Sequence, residues 1–185
     1  MKSEQQEMKQ ETKLRNLREW TGLSNYFILY DSDEMPFDRR SFQRVIYGRN
    51  NVMGLVITSS GEVFGSFHPT TLPQEDNDNE WVNDNNYFVF KINNEVCKYS
   101  KHERINTDWS LYLWSEHDSS LPNFYCVLFA FGLSFPLNNE RSGIIRRGFE
   151  CCYKSNQMLA DGTYDNYNNV LFKPSRLILL QWFDN

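Results

Sequence analysis

The segment 52–67, VMGLVITSSGEVFGSF, constrains the fold of this chain more than any other. Val52 to Ile57 is an apolar run rich in β-branched residues, the composition of a buried strand. Ser60-Gly61 supplies a tight turn, because glycine reaches positive φ without a steric penalty. The return run alternates. Val63, Gly65 and Phe67 share one face of the second strand, and Phe64 and Ser66 share the other. Gly65 is costly inside a strand and marks a bulge or the close approach of another backbone. Taken alone this is only a hairpin, and its meaning depends on what surrounds it.

Upstream, Tyr26 to Tyr30 reads as a short aromatic and aliphatic strand, followed by a polar turn over residues 31–36. A helix then begins with Asp38 as N-cap, and Phe37 and Phe42 occupy the positions of a hydrophobic staple. Phe42, Val45 and Ile46 form one apolar stripe, and Gly48 sits where a left-handed C-terminal residue is expected. The order is therefore strand, helix, strand, turn, strand.

This order, with the motifs LYDSD, SFQRVIYG and SSGEVFGSF, resembles the start of a TLDc domain, the domain of oxidation-resistance proteins, some nuclear-receptor coactivators and some Rab-regulating proteins. The family hairpin reads Asp/Ser-Gly-x-Val-Phe-Gly and is matched by Ser60, Gly61, Glu62, Val63, Phe64 and Gly65. Tyr87 to Phe90 is similar to a later family strand with a Phe-Val-Phe core. Cys151 or Cys152 matches a cysteine before the final segment, and Leu177 to Trp182 resembles a closing strand with tryptophan. The likeness runs from about Leu17 to the C-terminus. The chain departs from the family where a run of glycines is usual. It reads FYCVLFAFGLSF there, with Gly132 alone, and Leu180 stands near the position of a late acidic residue. It is thus identified as a divergent member. The resemblance implies a β-sandwich flanked by short helices.

The chain length of 185 residues suits one domain, with residues 1–19 as a polar arm or helix and residues 20–185 as the TLDc-like domain. Leu14 and Leu17 are placed to anchor the end of that arm near Trp20. The net charge of -5 argues against a nucleic-acid footprint, which requires a basic stripe. Arg39-Arg40 and Arg146-Arg147 are isolated pairs that read as solvated surface. The N-terminus has no apolar signal core, no run reaches the length of a membrane span, and no Asn-x-Ser/Thr site occurs. Four cysteines, Cys97, Cys126, Cys151 and Cys152, are too few for a secreted disulfide scaffold. These features lead us to expect a reducing, cytoplasmic location.

In the second half, residues 72–86 read as a polar loop. Tyr87 to Ile92 reads as a strand, and Asn93-Asn94 as a tight turn into a strand over residues 96–99. Residues 109–114 alternate, with Trp109, Leu111 and Leu113 on one side. Residues 124–135 are the most apolar run. Arg176 to Phe183 is a strongly apolar strand, expected at the centre of a sheet rather than at an edge. Antiparallel strands with few helices make the fold class mainly β with flanking helices: a two-sheet antiparallel sandwich with a few short helices.

Candidate chemistry is sparse. His68, His102 and His117 have no metal-binding spacing and read as surface or loop residues. The acidic runs 31–34 and 75–80 lack the glycine and ligand spacing of a calcium loop and read as solvated turns. No nucleophile elbow, phosphate loop or dinucleotide fingerprint occurs, so no catalytic residue, metal or cofactor is expected. Glu62 and the Cys151-Cys152 pair are the residues that a hydrolase or redox enzyme would have to use. The TLDc resemblance implies instead a non-enzymatic interaction module in oxidative-stress resistance. Its expected partner is the peripheral part of the vacuolar proton-pumping ATPase, which several family members bind, and a Rab-linked adaptor in membrane traffic is the other family role. Phe149 and Tyr153 flank the vicinal cysteines, and no Cys-x-x-Cys motif or adjacent histidine is present to stabilise a thiolate. Both thiols are therefore predicted to remain reduced and to alkylate slowly at neutral pH. Rapid labelling, or an intact mass two hydrogens below the reduced value from a bond between them, would favour redox chemistry.

Overall fold

A computed structural model describes residues 2–74, 80–92, 99–103, 110–113, 133–134, 143–145, 147, 149, 153, 159–160 and 162–184. In chain order the elements are α1 (Lys2–Thr21), β1 (Asn25–Asp31), α2 (Arg39–Arg44), β2 (Val52–Thr58), β3 (Val63–His68), β4 (Glu80–Val82) and β5 (Phe88–Ile92). They continue with β6 (Tyr99–Glu103), β7 (Leu111–Leu113), β8 (Leu133–Ser134), β9 (Gly143–Ile145), β10 (Thr163–Tyr164), β11 (Val170–Phe172) and β12 (Pro174–Phe183). The larger sheet has six strands in the order β1-β12-β2-β3-β5-β6, all pairs antiparallel. Among the described residues, a four-stranded antiparallel sheet, β10-β11-β9-β8, and a β4-β7 ladder hold the other strands. The fold is thus mainly β, with two antiparallel sheets and few helices.

The alternation read in the hairpin divides two cores. Phe64, Val52, Val56, Val89, Leu177 and Leu179 project from one face of the larger sheet into a core shared with Ile145, Val170 and Phe172 of the smaller sheet. The rings of Phe64 and Phe172 meet edge to face at 5.1 Å, a favourable aromatic geometry. Phe42 and Ile46 from the α2 region, and Val82, Leu111 and Leu113 from the β4-β7 ladder, close the same core. The opposite face carries Met53, Phe67, Phe88, Phe90, Leu180 and Trp182. There Leu17 is buried, with Leu14 and Trp20 packed alongside. The N-terminal segment is therefore a helix, and its last turns roof the second core.

As expected from its apolar run, β12 is internal, hydrogen-bonded to β1 on one side and β2 on the other. Asp38 caps α2 as its sequence context requires, accepting a 2.8 Å hydrogen bond from the Ser41 backbone N–H. The helix is shorter than its apolar stripe implies. It ends at Arg44, and the β-branched pair Val45-Ile46 continues in tighter turns, with Ile46 N–H bonded to the Gln43 carbonyl at 3.0 Å. Gly48 does adopt positive φ, 66°. Two readings of the second half need correction. The polar loop over 72–86 contains strand β4. The strand beside β5 is described over Tyr99–Glu103, with Ile92 opposite Tyr99, so it runs past the expected end at residue 99. The Asn93-Asn94 site, Trp109, Trp114 and most of the 124–135 run lie outside the described residues.

Gly65 resolves as a close approach and not a bulge, because the β2-β3 register runs unbroken through it. A Cβ at this position would overlap the carbonyl oxygen of Gly54 and lie 2.9 Å from Cζ of Phe90, its cross-strand neighbour. The overlap is with backbone, which cannot rotate away. Gly65→Ala is therefore expected to destabilise the protein by about 1–3 kcal/mol. At this chain length that lowers the melting temperature by roughly 2–12 °C. Equal melting temperatures for the variant and the parent would refute the close-packing account.

Candidate functional site

The residues singled out as the family hairpin form a fastening between the turn and the neighbouring strand. Gly61 has φ 86°, the left-handed conformation the turn requires. The Gly61 N–H donates to the Thr58 carbonyl at 3.0 Å, and the Thr58 N–H donates to the Glu62 carbonyl at 2.9 Å. The Thr58 hydroxyl accepts the Glu62 N–H at 3.0 Å. Glu62 itself is half-buried. Its Oε1 accepts from Lys91 Nζ at 2.8 Å, and its Oε2 accepts from the Ser60 hydroxyl at 3.3 Å. Beyond it, Val63 pairs with Ile57 and Ile92, Phe64 enters the inter-sheet core, and Gly65 lies against Gly54. All five residues Gly61, Glu62, Val63, Phe64 and Gly65 thus serve the joint between β2, β3 and β5. Both carboxylate oxygens of Glu62 are thus engaged by neighbours within the sheet.

The face of β3 that carries Phe64 and Ser66 continues to His68, and this corrects the surface reading of that histidine. His68 and Ser66 are both wholly buried, with 3.1 Å between Ser66 Oγ and His68 Nε2. The imidazole stacks on Tyr87 at 5.4 Å with the rings nearly parallel. The Tyr87 hydroxyl lies 3.0 Å from that of Tyr153, whose ring stacks on Phe149 at 4.3 Å. Strand alternation could have placed His68 inside, because it is two residues beyond Ser66. Serine and histidine at this spacing are the pair a nucleophile and base would use. Here both lie inside the core, and the serine hydroxyl and imidazole Nε2 share one hydrogen bond.

The acidic turn after β1 is likewise more than solvated charge. Asp31 is buried and takes both oxygens to the guanidinium of Arg176 on β12. Arg176 Nε reaches Oδ1 at 2.9 Å, and a second contact joins Nη2 to Oδ2. This bidentate geometry is the strong form of the pair. Asp33 is exposed and lies 3.1 Å from the same Nε. Ser32 ties the turn to β12 through its N–H to the Leu177 carbonyl and its hydroxyl to the Leu177 N–H, each at 2.9 Å. Sequence gave no sign of the Asp31–Arg176 pair, because the two residues are far apart in the chain. Glu34 is exposed. Among the described residues no cluster of three or more His, Cys, Asp or Glu side chains is arranged to hold a metal. Cys97, Cys126, Cys151, Cys152, His117 and the run 75–79 lie outside the described residues, as do the side chains of His102, Arg39 and Arg40.

The Arg176 hydrogen bond holds the Asp31 carboxyl below its ordinary pKa. Burial opposes this, and the Asp33 N–H adds to it. A carboxyl whose folded pKa is depressed stabilises the fold above its unfolded value, and that contribution is lost as pH falls through the folded value. The Asp31 contribution is therefore complete at neutral pH and disappears below about pH 4. Asp31→Asn is expected to lower stability at pH 7 by about 1.5–3 kcal/mol and to flatten the acid limb of the stability profile. Thermal melts between neutral and acidic pH check this. An acid limb as steep in the variant as in the parent would place the titrating group elsewhere.

With this geometry in hand, comparison with known proteins supplies one finding. The sequence model of the TLDc domain matches residues 3–166. No curated protein matches the chain. The matched segment takes in most of α1 and the whole β2-β3 hairpin with its glycine contact, and it ends before β11 and β12. It spans most of the chain, and its hairpin is built as the motif requires: the chain belongs to the TLDc domain family.

Proposed function

We propose that the chain is a non-enzymatic interaction module of the oxidation-resistance type, acting by association with the peripheral part of the vacuolar proton-pumping ATPase. The observation that carries this reading is the TLDc match over residues 3–166, since that partner is a property of several members of the family. The environment of Glu62 supports it. The acid that a hydrolase would need is held by Lys91 in a structural ion pair. The Ser66–His68 pair is enclosed by core side chains. Binding on this reading draws on surface charge. The net charge of -5 favours encounter with a basic patch, and Asp33 and Glu34 are exposed carboxylates suited to it.

The test uses the purified chain and the purified peripheral subcomplex of the ATPase in interferometry at several salt concentrations. Micromolar or tighter association is expected, with an on-rate that falls as salt rises, because screening weakens long-range steering. Folded protein that does not bind at micromolar concentration removes the ATPase from consideration and leaves the membrane-traffic adaptor as the family role to pursue. Hydrolysis of ester or peptide substrates, abolished by Glu62→Gln in protein that still folds, would overturn the non-enzymatic reading.

A further inference from the structure

The face of the six-stranded sheet that carries α1 is apolar over more than the helix covers. Cross-strand register divides it into rows. One row runs Ile28–Leu180–Met53–Phe67–Phe88. Leu17 is buried against this row, and Trp20 reaches the rings of Phe88 and Phe90 at 6.4 and 5.7 Å. The next two rows along the same strands are Ile178–Leu55–Gly65–Phe90 and Arg176–Ile57–Val63–Ile92. In these rows Ile178, Leu55, Ile57 and Val63 keep part of their surface in solvent. Ile28, at the β1 end of the first row, is 57% exposed.

These five aliphatic side chains form one strip from β1 to β3, next to the residues that α1 roofs. Rows on one face are about 7 Å apart along a strand, and a helix with its side chains is about 10 Å across. Two rows therefore offer the width of one helix. The strip is acidic at its β1 corner. There Asp31 is opposite Ile178 and is held by Arg176, while Asp33 and Glu34 are exposed beside them. Lys173 is exposed at the other corner, where its carbonyl accepts the Ser59 N–H.

We infer that this strip is the seat of an amphipathic helix from a partner protein, laid beside α1 and carrying basic residues in the turn nearest Asp33 and Glu34. The seat continues an interface the chain already makes, since α1 docks on the same face through Leu14, Leu17 and Trp20. The charge at the β1 corner selects the flank, because Asp31, Asp33 and Glu34 outnumber Arg176 there. A second copy of this chain fits poorly. The side of α1 away from Leu17 carries Arg15 and Glu19, both exposed, and these cannot face an aliphatic strip. The height of α1 above the sheet also holds a second sheet off the floor. An anionic lipid surface meets the exposed carboxylates. The inference stands whichever protein supplies the helix.

The probes are synthetic peptides of about 15 residues, long enough to form a helix. One has a leucine stripe with lysines at one end, the second has glutamates in their place, and the third scrambles the lysine sequence. Each is titrated into the full chain with isoleucine methyl groups labelled for NMR. The lysine peptide is expected to shift the methyl signals of Ile28, Ile57 and Ile178 saturably and to leave those of Ile46 and Ile145, which are fully buried, in place. The glutamate peptide should bind roughly threefold or more weakly, and Asp33→Lys with Glu34→Lys should abolish that preference. Ile57→Gln, with thermal melts as the folding control, should weaken the lysine peptide about tenfold. The map on the parent chain decides the matter should that variant not fold. Absence of saturable shifts up to about 1 mM, a weaker bound than helix-in-groove partners require, overturns the inference. So do equal shifts from the scrambled peptide, shifts at other isoleucines in place of these three, or equal affinity for the lysine and glutamate peptides.

Discussion

The position of β12 between β1 and β2 is the constraint on which the rest of the structure depends. The last strand of the chain joins the first to the hairpin, so the six-stranded sheet cannot be completed until the C-terminus is in place. Each face of β12 then feeds a different core. Leu177 and Leu179 face the smaller sheet, and Ile178, Leu180 and Trp182 face the layer that α1 roofs. A strand buried on both faces must be apolar throughout, and β12 is, apart from its ends and Gln181. The exceptions are used. Arg176 locks Asp31, and Gln181 accepts a 2.8 Å hydrogen bond from Arg49 while donating to the Asn50 carbonyl at 3.1 Å. The large sequence separation of these contacts implies slow folding relative to a helical protein of similar size.

Features set by neighbours in sequence were readable before the structure. The Ser60-Gly61 turn, the Asp38 cap, the alternating faces of β3 and the internal place of β12 each follow from a local rule. Gly65 was readable as an anomaly, and Gly54 supplied the reason. Features set by distant partners were not readable. Nothing near Asp31 announces Arg176, and nothing near Glu62 announces Lys91. Asp31 therefore read as solvated charge, and Glu62 as a lone acid, until the sheet brought their partners alongside. His68 is a different case. The alternation that placed Phe64 and Ser66 inward extends to it, but its polarity argued for solvent. Burial was possible because Ser66 and the ring of Tyr87 were there to receive it. Strand β4 was hidden because three residues are too few to display a period.

These placements change what the family motif means in this chain. A motif read in sequence invites a functional role for each member, above all for an acid such as Glu62. Here the motif describes a packing solution: a left-handed glycine to turn the chain, an acid to fasten the turn to β5, a phenylalanine to join two sheets and a glycine where two backbones touch. Such a motif specifies a scaffold, and what the scaffold binds must be written on its surface. Divergence elsewhere in the chain is then compatible with an intact fold, and the surface is where partner choice can differ.

On that surface, the first and last parts of β1 are held by different forces. The last part is tied to β12 by the Asp31–Arg176 ion pair and the two Ser32–Leu177 hydrogen bonds. The first part, from Tyr26 to Ile28, has its ladder to β12 and the stacking of Tyr26 on Trp182 and Phe27 on Phe183. Protonation of Asp31 weakens the first set and leaves the second unchanged, because aromatic contacts do not titrate in the acid range. The apolar end of β1 should thus keep its shape in mild acid while the turn beyond it loosens.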